Sequence, residues 1–145
     1  MKAPAPFPFA PAQSGVYAAP AAPAALHAAA RAAGFAWFEL DLQEVRTKPE
    51  LLALCQKVFD LPSMFGHNWD ALADNLGDLS WRPAPGYVVL VRHGGAFARN
   101  SPEDFATALE ILAAAATYWA SKRKVFLALL DDDTRGAREF RALPR

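Results

Sequence analysis

The sequence predicts an α/β fold in which helices cover a mainly parallel sheet. Two nearly continuous apolar runs, YVVLV (87–91) and VFLALL (125–130), are typical of central strands that are covered on both faces. The aromatic-rich, alternating run FAWFELDL (35–42) is typical of a third strand. Helical segments separate these runs, and strands joined by helical crossovers pair in parallel. We therefore expect the three strands to be neighbours in one parallel sheet.

Two helices are predicted from their start signals. TKPE (47–50) offers an N-cap, a proline in the first turn and an early glutamate, so a helix is expected from there to about Phe59. SPE (101–103) opens an Ala-rich helix that runs to about Ser121. The second of these is long enough to be the crossover between the last two strands.

A third helix is predicted from Asn68, a good N-cap, to about Leu79. Its buried stripe is expected to consist of residues at helical spacing. These residues are Trp69, Leu72, Ala73 and Leu76.

The first 33 residues are predicted to be an N-terminal extension. Residues 1–14 are rich in Pro and Ala, which favours a flexible or polyproline-like lead whose deletion leaves folding nearly unchanged. A short strand at 15–19 and a helix from Pro23 that ends at Gly34 follow. The predicted organisation is an extension (1–33), one α/β domain (34–131) and a C-terminal tail (132–145).

Composition limits the function classes. The chain has 145 residues, 53% of them hydrophobic, which suits one core. Its 15 Lys and Arg balance 15 Asp and Glu, so it lacks the basic excess that direct nucleic-acid or membrane-surface binding normally requires. No apolar run is long enough to span a membrane, and early prolines interrupt any signal-peptide pattern, so a cytoplasmic location is expected.

The single cysteine, Cys55, lies in an apolar helical pattern and is expected to be a buried thiol.

Asp70, Asp74 and Asp78 recur every four residues along the third predicted helix. At this spacing they share a face directed away from the apolar stripe, so all three carboxylates are expected to face water. Such neighbours repel by about 0.2–0.5 kcal/mol per pair, and no Lys or Arg occurs at 58–81 to neutralise them. The row is either a solvated helix face or a surface that docks into a basic cleft.

The stretch 61–81 also contains loop, cap, core and acid positions in a specific order. They are Leu61-Pro62, Phe65-Gly66, Asn68, Asp70-Ala71-Leu72 and Asp74, followed by Leu76 and Trp81. This pattern resembles the barstar-like ribonuclease inhibitor family, and the order of elements from Gly34 to Asp131 fits that family as well.

The resemblance implies a small α/β fold with a three-stranded parallel sheet, no catalysis and no cofactor or metal. It implies an intracellular inhibitor, monomeric when free, whose acidic helix and preceding loop block the active site of a basic, secreted-type ribonuclease or a related toxin. By position, Asp74 matches an acid that occupies a substrate-phosphate site of the enzyme, and Asp70 matches a neighbouring interface acid. The implied partner-binding residues are Asp70, Asp74, Met64, Phe65, Gly66, His67, Asn68 and Ala73.

Two groups of residues allow an enzymatic interpretation. His67 and Asp70 are types that form acid/base pairs, but residues 66–71 contain no Ser or Cys that could act as a nucleophile. DDD (131–133) follows a predicted strand, where open α/β sheets often bind ligands. A small metal-dependent phosphoester hydrolase that uses these three acids is therefore the alternative function. The purely structural explanation is that the acids form a solvent-exposed segment leading from the strand into the C-terminal tail.

Overall fold

The computed structural model, which describes residues 7–62, 66–136 and 138–144, has four strands in one sheet. The strands are β1 (Gly15–Ala18), β2 (Ala36–Asp41), β3 (Gly86–Arg92) and β4 (Val125–Leu130). They lie in the order β1-β4-β3-β2, and every neighbouring pair is parallel. The predicted α/β class and the parallel pairing of β2, β3 and β4 are confirmed. The sheet has four strands where three were expected, because the short strand β1 pairs with β4.

Six helices connect and cover these strands in the described residues. They are α1 (Ala24–Ala32), α2 (Lys48–Val58), α3 (Trp69–Leu76), α4 (Gly95–Asn100), α5 (Pro102–Ser121) and α6 (Asp132–Arg135), and a 3₁₀ turn spans Pro11–Gln13. The four predicted helices are present, whereas α4 and α6 are too short to show a periodic pattern in the sequence. None of the described helices has the length and apolarity needed to cross a membrane.

Helix α3 is shorter than predicted. It ends at Leu76 with Gly77 as its C-cap, and Leu79 adopts a left-handed φ of 50°. Asp78 therefore lies in the turn after the helix and does not extend the row of acids on the helix itself.

Alternate residues of the two central strands belong to two separate cores. On one face, Phe126 and Ala128 of β4 pack with residues of α2, α3 and α5. On the other face, Leu127 and Leu129 of β4 pack with Val88 of β3 and with residues of β1 and α1. All six residues of β4 are buried, as its continuous apolar run predicts.

The N-terminal lead contributes to the second core. Phe7 and Phe9 pack against it, and the Phe7 ring centroid lies 4.3 Å from that of Phe35. Ser14 Oγ accepts a hydrogen bond from the Phe126 backbone N–H at 2.9 Å, which extends the pairing of β1 with β4. The expectation of a flexible lead is thus wrong for residues 7–14, since aromatic side chains among the prolines have an apolar surface to cover. The predicted division of the chain at residues 33 and 131 stays a prediction.

Cys55 lies inside the first core, as predicted. Its side chain is buried, and burial raises the pKa of the thiol to about 12. A thiol with this pKa stays protonated near neutral pH, which is typical of a structural residue and not of a nucleophile.

Replacement of Ser14 tests the role of the lead. Ser14→Ala leaves the Phe126 N–H in a part-buried position without its acceptor, so we expect a loss of about 1–3 kcal/mol in the free energy of unfolding. Urea denaturation followed by circular dichroism measures this. The exposed Ser80 provides the control, since Ser80→Ala should cost less than about 0.5 kcal/mol. Equal effects of both substitutions would contradict the assignment.

The turn between α5 and β4 carries measurable backbone strain. Arg123 is exposed and has a left-handed φ of 61°, a conformation that costs a residue with a side chain about 1–2 kcal/mol. Arg123→Gly is expected to stabilise the protein by about 0.5 kcal/mol, because the extra freedom of glycine in the unfolded chain offsets part of the gain. Lys122→Gly, at a φ of −93°, should instead lower the melting temperature. A lower melting temperature for Arg123→Gly would refute this account.

Candidate partner-binding site

Helix α3 has a side-chain hydrogen bond at each end, a local cap at its start and a bond to α5 at its end. Asn68 Oδ1 accepts from the Ala71 N–H at 2.7 Å, so the predicted N-cap is confirmed. At the other end, the buried indole of Trp119 on α5 donates to the Leu76 carbonyl at 2.8 Å. Leu72 and Leu76 are buried beneath the helix. These contacts set which face of α3 is presented to solvent.

The exposed face of α3 carries Asp70, Ala73 and Asp74. Asp78, in the following turn, is exposed as well, so the prediction that all three carboxylates face water is confirmed. Ala73 was expected in the buried stripe, and that expectation is wrong. The buried direction is set by Leu72 and Leu76, and residue 73 lies on the same side as its neighbours at positions 70 and 74.

The carboxylates of Asp70 and Asp74 are one helical turn apart and have no partner in the described part of the chain. No hydrogen bond or ion pair within 4.0 Å reaches either of them there. Two acids on one helix face, both without a partner among the described residues, make a compact anionic surface of the kind that electrostatic complementarity requires.

The loop before α3 is organised by Asn68. Its Nδ2 donates to the Gly66 carbonyl at 3.3 Å, and the Gly66 residue is exposed. His67 has a φ of 50°, and its Nε2 lies 2.6 Å from Gln56 Oε1 on α2. The contact with Gln56 ties the loop to α2, and no bond joins His67 to Asp70, which gives the acid/base interpretation no support. The predicted site residues Met64 and Phe65 lie outside the described residues.

A lysine that the sequence pattern did not indicate also lies at this surface. Lys48, the first residue of α2, lines a shallow groove together with Trp69, Asp70 and Asp74. Its Nζ lies 5.2 Å from the centroid of the Trp69 ring. Residues 58–81 contain no Lys or Arg. Lys48 precedes this interval in sequence, but the fold places its side chain at the acidic face of α3.

Asp131 has a structural role at the carboxyl end of the sheet. Its Oδ1 accepts from the Thr134 N–H at 2.8 Å and caps α6, while its Oδ2 accepts from the His93 N–H at 3.0 Å. The same His93 places Nδ1 3.0 Å from Asp41 Oδ1. This hydrogen bond lowers the pKa of Asp41 against the opposing effect of desolvation.

The other two acids of this run have separate partners. Asp133 Oδ2 accepts from the Gly95 N–H at 3.0 Å and so anchors the start of α4, and Asp132 Oδ1 pairs with Arg135 at 2.8 Å. Within the described residues, no three acidic, His or Cys side chains converge in a metal-binding arrangement. The three acids thus act as caps and local ion pairs.

A family model described as Barstar (barnase inhibitor) matches residues 35–131. The chain belongs to the barstar family. A search of the curated proteins gave no significant match. The matched span runs from the residue before β2 to the residue after β4 and includes α3 and its preceding loop, so the resemblance read from residues 61–81 is confirmed. Barstar-family proteins are inhibitors, and the acidic face of α3 lies within the part of the chain that carries the match.

Replacement of Asn68 tests whether the cap holds the acidic helix of this barstar-family chain in place. Asn68→Ala removes the acceptor of the Ala71 N–H and is expected to cost about 1 kcal/mol in unfolding free energy. Asn68→Asp keeps a capping oxygen and adds a favourable charge at the helix N-terminus, so it should retain most of the stability. Chemical denaturation measures both variants. A similar loss for both would show that the cap is not the important contact.

Proposed function

We propose that this protein is a stoichiometric inhibitor of a basic ribonuclease, acts inside the cell and is monomeric when free. The exposed face of α3 enters the active site of the enzyme, and the preceding loop packs at its margin. The observation that carries this proposal is the pair of carboxylates, Asp70 and Asp74, which have no partner among the described residues. They lie on a helix that is capped at its start and bonded to α5 at its end.

The charge arrangement suits a site that binds RNA phosphates. A ribonuclease active site holds cationic side chains that stabilise phosphate oxygens, and two carboxylates one helical turn apart can replace two anionic groups of the substrate. Asp74 is central to this face, whereas Asp70 also lies in the first turn of α3, where its charge interacts with the helix dipole. We therefore assign the larger share of binding to Asp74.

Shape supports the same assignment. Ala73 lies between the two acids and exposes only a methyl group, so a partner can approach the helix closely at that point. The family resemblance places Met64 and Ala73 at contact positions. Because one side chain is flexible and the other is small, they favour a target whose own side chains fill the space next to them. A ribonuclease or related toxin whose basic active site projects its own side chains toward Ala73 is such a target.

The alternative, a metal-dependent phosphoester hydrolase using residues 131–133, receives less support. Each of these acids is engaged by a backbone N–H or an arginine. A metal site would require at least some of these bonds to break, and α6 would lose its cap.

Replacement of Asp74 tests the proposal. Asp74→Ala should leave the fold intact, because the side chain is exposed and relief of repulsion with Asp70 offsets any loss. Inhibition should weaken by about 2–5 kcal/mol, since the change leaves desolvated cations of the enzyme unpaired. Asp70→Ala should weaken it less. Titration of ribonuclease activity with each variant gives the inhibition constants, and equal constants for Asp74→Ala and the parent would refute the proposal.

The enzyme is to be captured from the secreted fraction of the producing cells. Parallel columns carry the parent protein and the Asp70→Ala/Asp74→Ala double variant, and ribonuclease assays follow the eluted basic proteins. Activity retained by the parent column alone supports the proposal.

Added salt should slow association of the parent more than that of the double variant, because screening removes electrostatic steering. Turnover of a phosphoester by the protein alone, dependent on a metal, would favour the hydrolase.

A further inference from the structure

Three arginines from separate segments line one pocket at the corner where α4 meets α6. They are Arg99 in the last turn of α4, Arg135 at the end of α6, and Arg138 shortly after it. The described residues of α3 do not line this pocket, so it is separate from the proposed ribonuclease-binding surface. Guanidinium groups around one pocket repel one another, and an anion bound between them removes that repulsion.

Hydrogen bonds between α4 and α6 build the wall of the pocket. The Gly94 N–H donates to Thr134 Oγ1 at 2.9 Å, and the Gly95 N–H donates to Asp133 Oδ2 at 3.0 Å. A Cβ at Gly95 would lie 2.8 Å from the Asp133 carbonyl oxygen, so only glycine permits this close approach. The Asp133 carboxylate, which also lines the pocket, is thus already bound to a backbone N–H.

The backbone after α6 brings Arg138 beside Arg135. The Arg138 N–H donates to the Arg135 carbonyl at 2.9 Å, and Gly136 has a φ of 55° and a ψ of −128°, which residues with a side chain rarely adopt. The Cζ of Arg138 lies 5.1 Å from the centroid of the Phe105 ring. This cation–π contact holds the exposed Arg138 side chain at the pocket.

The three guanidinium groups have little acidic compensation. No carboxylate lies within 4.0 Å of Arg99 or Arg138 in the part of the chain that the structure describes. Arg135 pairs with Asp132 at 2.8 Å, but the Asp132 side chain is 90% exposed, so the pair is weak. Helix-end electrostatics favour a cation at Arg99 and at Arg135, yet they do not account for Arg138 or for the common pocket.

One donor of Arg135 has no acceptor in this arrangement. Its Nε is buried and makes no hydrogen bond within the described residues. A buried N–H without an acceptor is unfavourable and rare in folded proteins. Rotation of the guanidinium away from Asp132 would present Nε to the pocket, where an anionic oxygen can accept from it.

We infer that Arg99, Arg135 and Arg138 form a binding site for a phosphate group, either free or as the monoester of a small molecule. A phosphate monoester carries nearly two negative charges near neutral pH and three acceptor oxygens, whereas a carboxylate offers one charge and two oxygens. Arg135 binds side-on through Nε and a terminal nitrogen, and Asp132 moves into solvent. Arg99 and Arg138 bond the remaining oxygens with their own N–H donors.

The test uses the full-length protein with inorganic phosphate and adenosine 5′-monophosphate as probes, and with adenosine and acetate as comparisons. Arg99→Gln and Arg138→Gln each remove one exposed cation of the pocket. Arg31→Gln is the matched control, because it removes the same charge from an exposed position of α1, which packs on the opposite face of the sheet. Titrations at constant ionic strength are followed by NMR of the arginine Nε–H groups, and Arg135→Lys assigns the signal of Arg135.

We expect Arg99→Gln and Arg138→Gln to bind both phosphate probes at least about tenfold more weakly than Arg31→Gln does, since each loses charge-assisted hydrogen bonds. Arg138→Lys should recover only part of the affinity, because an ammonium keeps the charge but lacks the fork of donors. In the parent protein, phosphate should shift the Arg135 Nε–H signal downfield as its hydrogen bond forms, while the Arg31 signal stays in place.

The comparisons between probes identify the source of the phosphate group. Tighter binding of adenosine 5′-monophosphate than of inorganic phosphate supports a monoester as the ligand, and equal binding supports the phosphate group alone. Adenosine or acetate binding as tightly as the phosphate probes would overturn the inference. So would equal affinities of Arg31→Gln and the two pocket variants, or an Arg135 Nε–H signal in the parent protein that does not move at millimolar phosphate. This last measurement needs no variant to fold beyond the one used for assignment.

Discussion

The burial of β3 and β4 on both faces is the constraint on which the rest of the structure depends. Every residue of β4 is buried, and its side chains alternate between two cores. A strand of this kind is stable only when a layer of apolar side chains covers each face. Helices α2, α3 and α5 provide one layer, while α1 and the aromatic residues of the lead provide the other. The N-terminal residues thus complete a core whose central strands, β3 and β4, lie in the family-matched span.

The acidic face of α3 owes its orientation to this layered packing. Helix α5 lies on the sheet through its contacts with β4, and the indole of Trp119 on α5 binds the last carbonyl of α3. A second indole, that of Trp81, donates to the Phe59 carbonyl at 3.0 Å just after α2. The carboxylates are therefore carried by a backbone that is already fixed before a partner arrives, which lowers the entropic cost of association.

Charge in this protein is organised locally although its total is zero. The acids at 131–133 accept backbone hydrogen bonds or form an ion pair at the edge of the sheet. Those at 70 and 74 have no such partners in the described residues and face a groove that holds a single lysine of α2. Identical side chains thus serve different purposes, and the difference lies in whether a backbone N–H or an arginine is within reach.

The sequence by itself determined the fold class, the order of the main elements and the exposure of the acids. Continuous apolar runs define β3 and β4, caps at Thr47 and Asn68 define two helix starts, and four-residue spacing defines a common face, since all of these are local effects. The ordered pattern around α3 was also sufficient to indicate the family. The short helices α4 and α6 were not predicted, because one or two turns are too short to show a helical periodicity in the sequence.

Tertiary structure alone decided the features that depend on contacts between distant segments. Pairing of β1 with β4, docking of the lead through Phe7 and Phe9, and the place of Ala73 on the exposed face follow from which surfaces meet. The approach of Lys48 to Trp69 is of the same kind. Twenty residues, which include a loop, separate the two in sequence, and the packing of the helices on the sheet brings them together. Patterns of three or four residues report the local environment, and only the assembled core determines which local surfaces become neighbours.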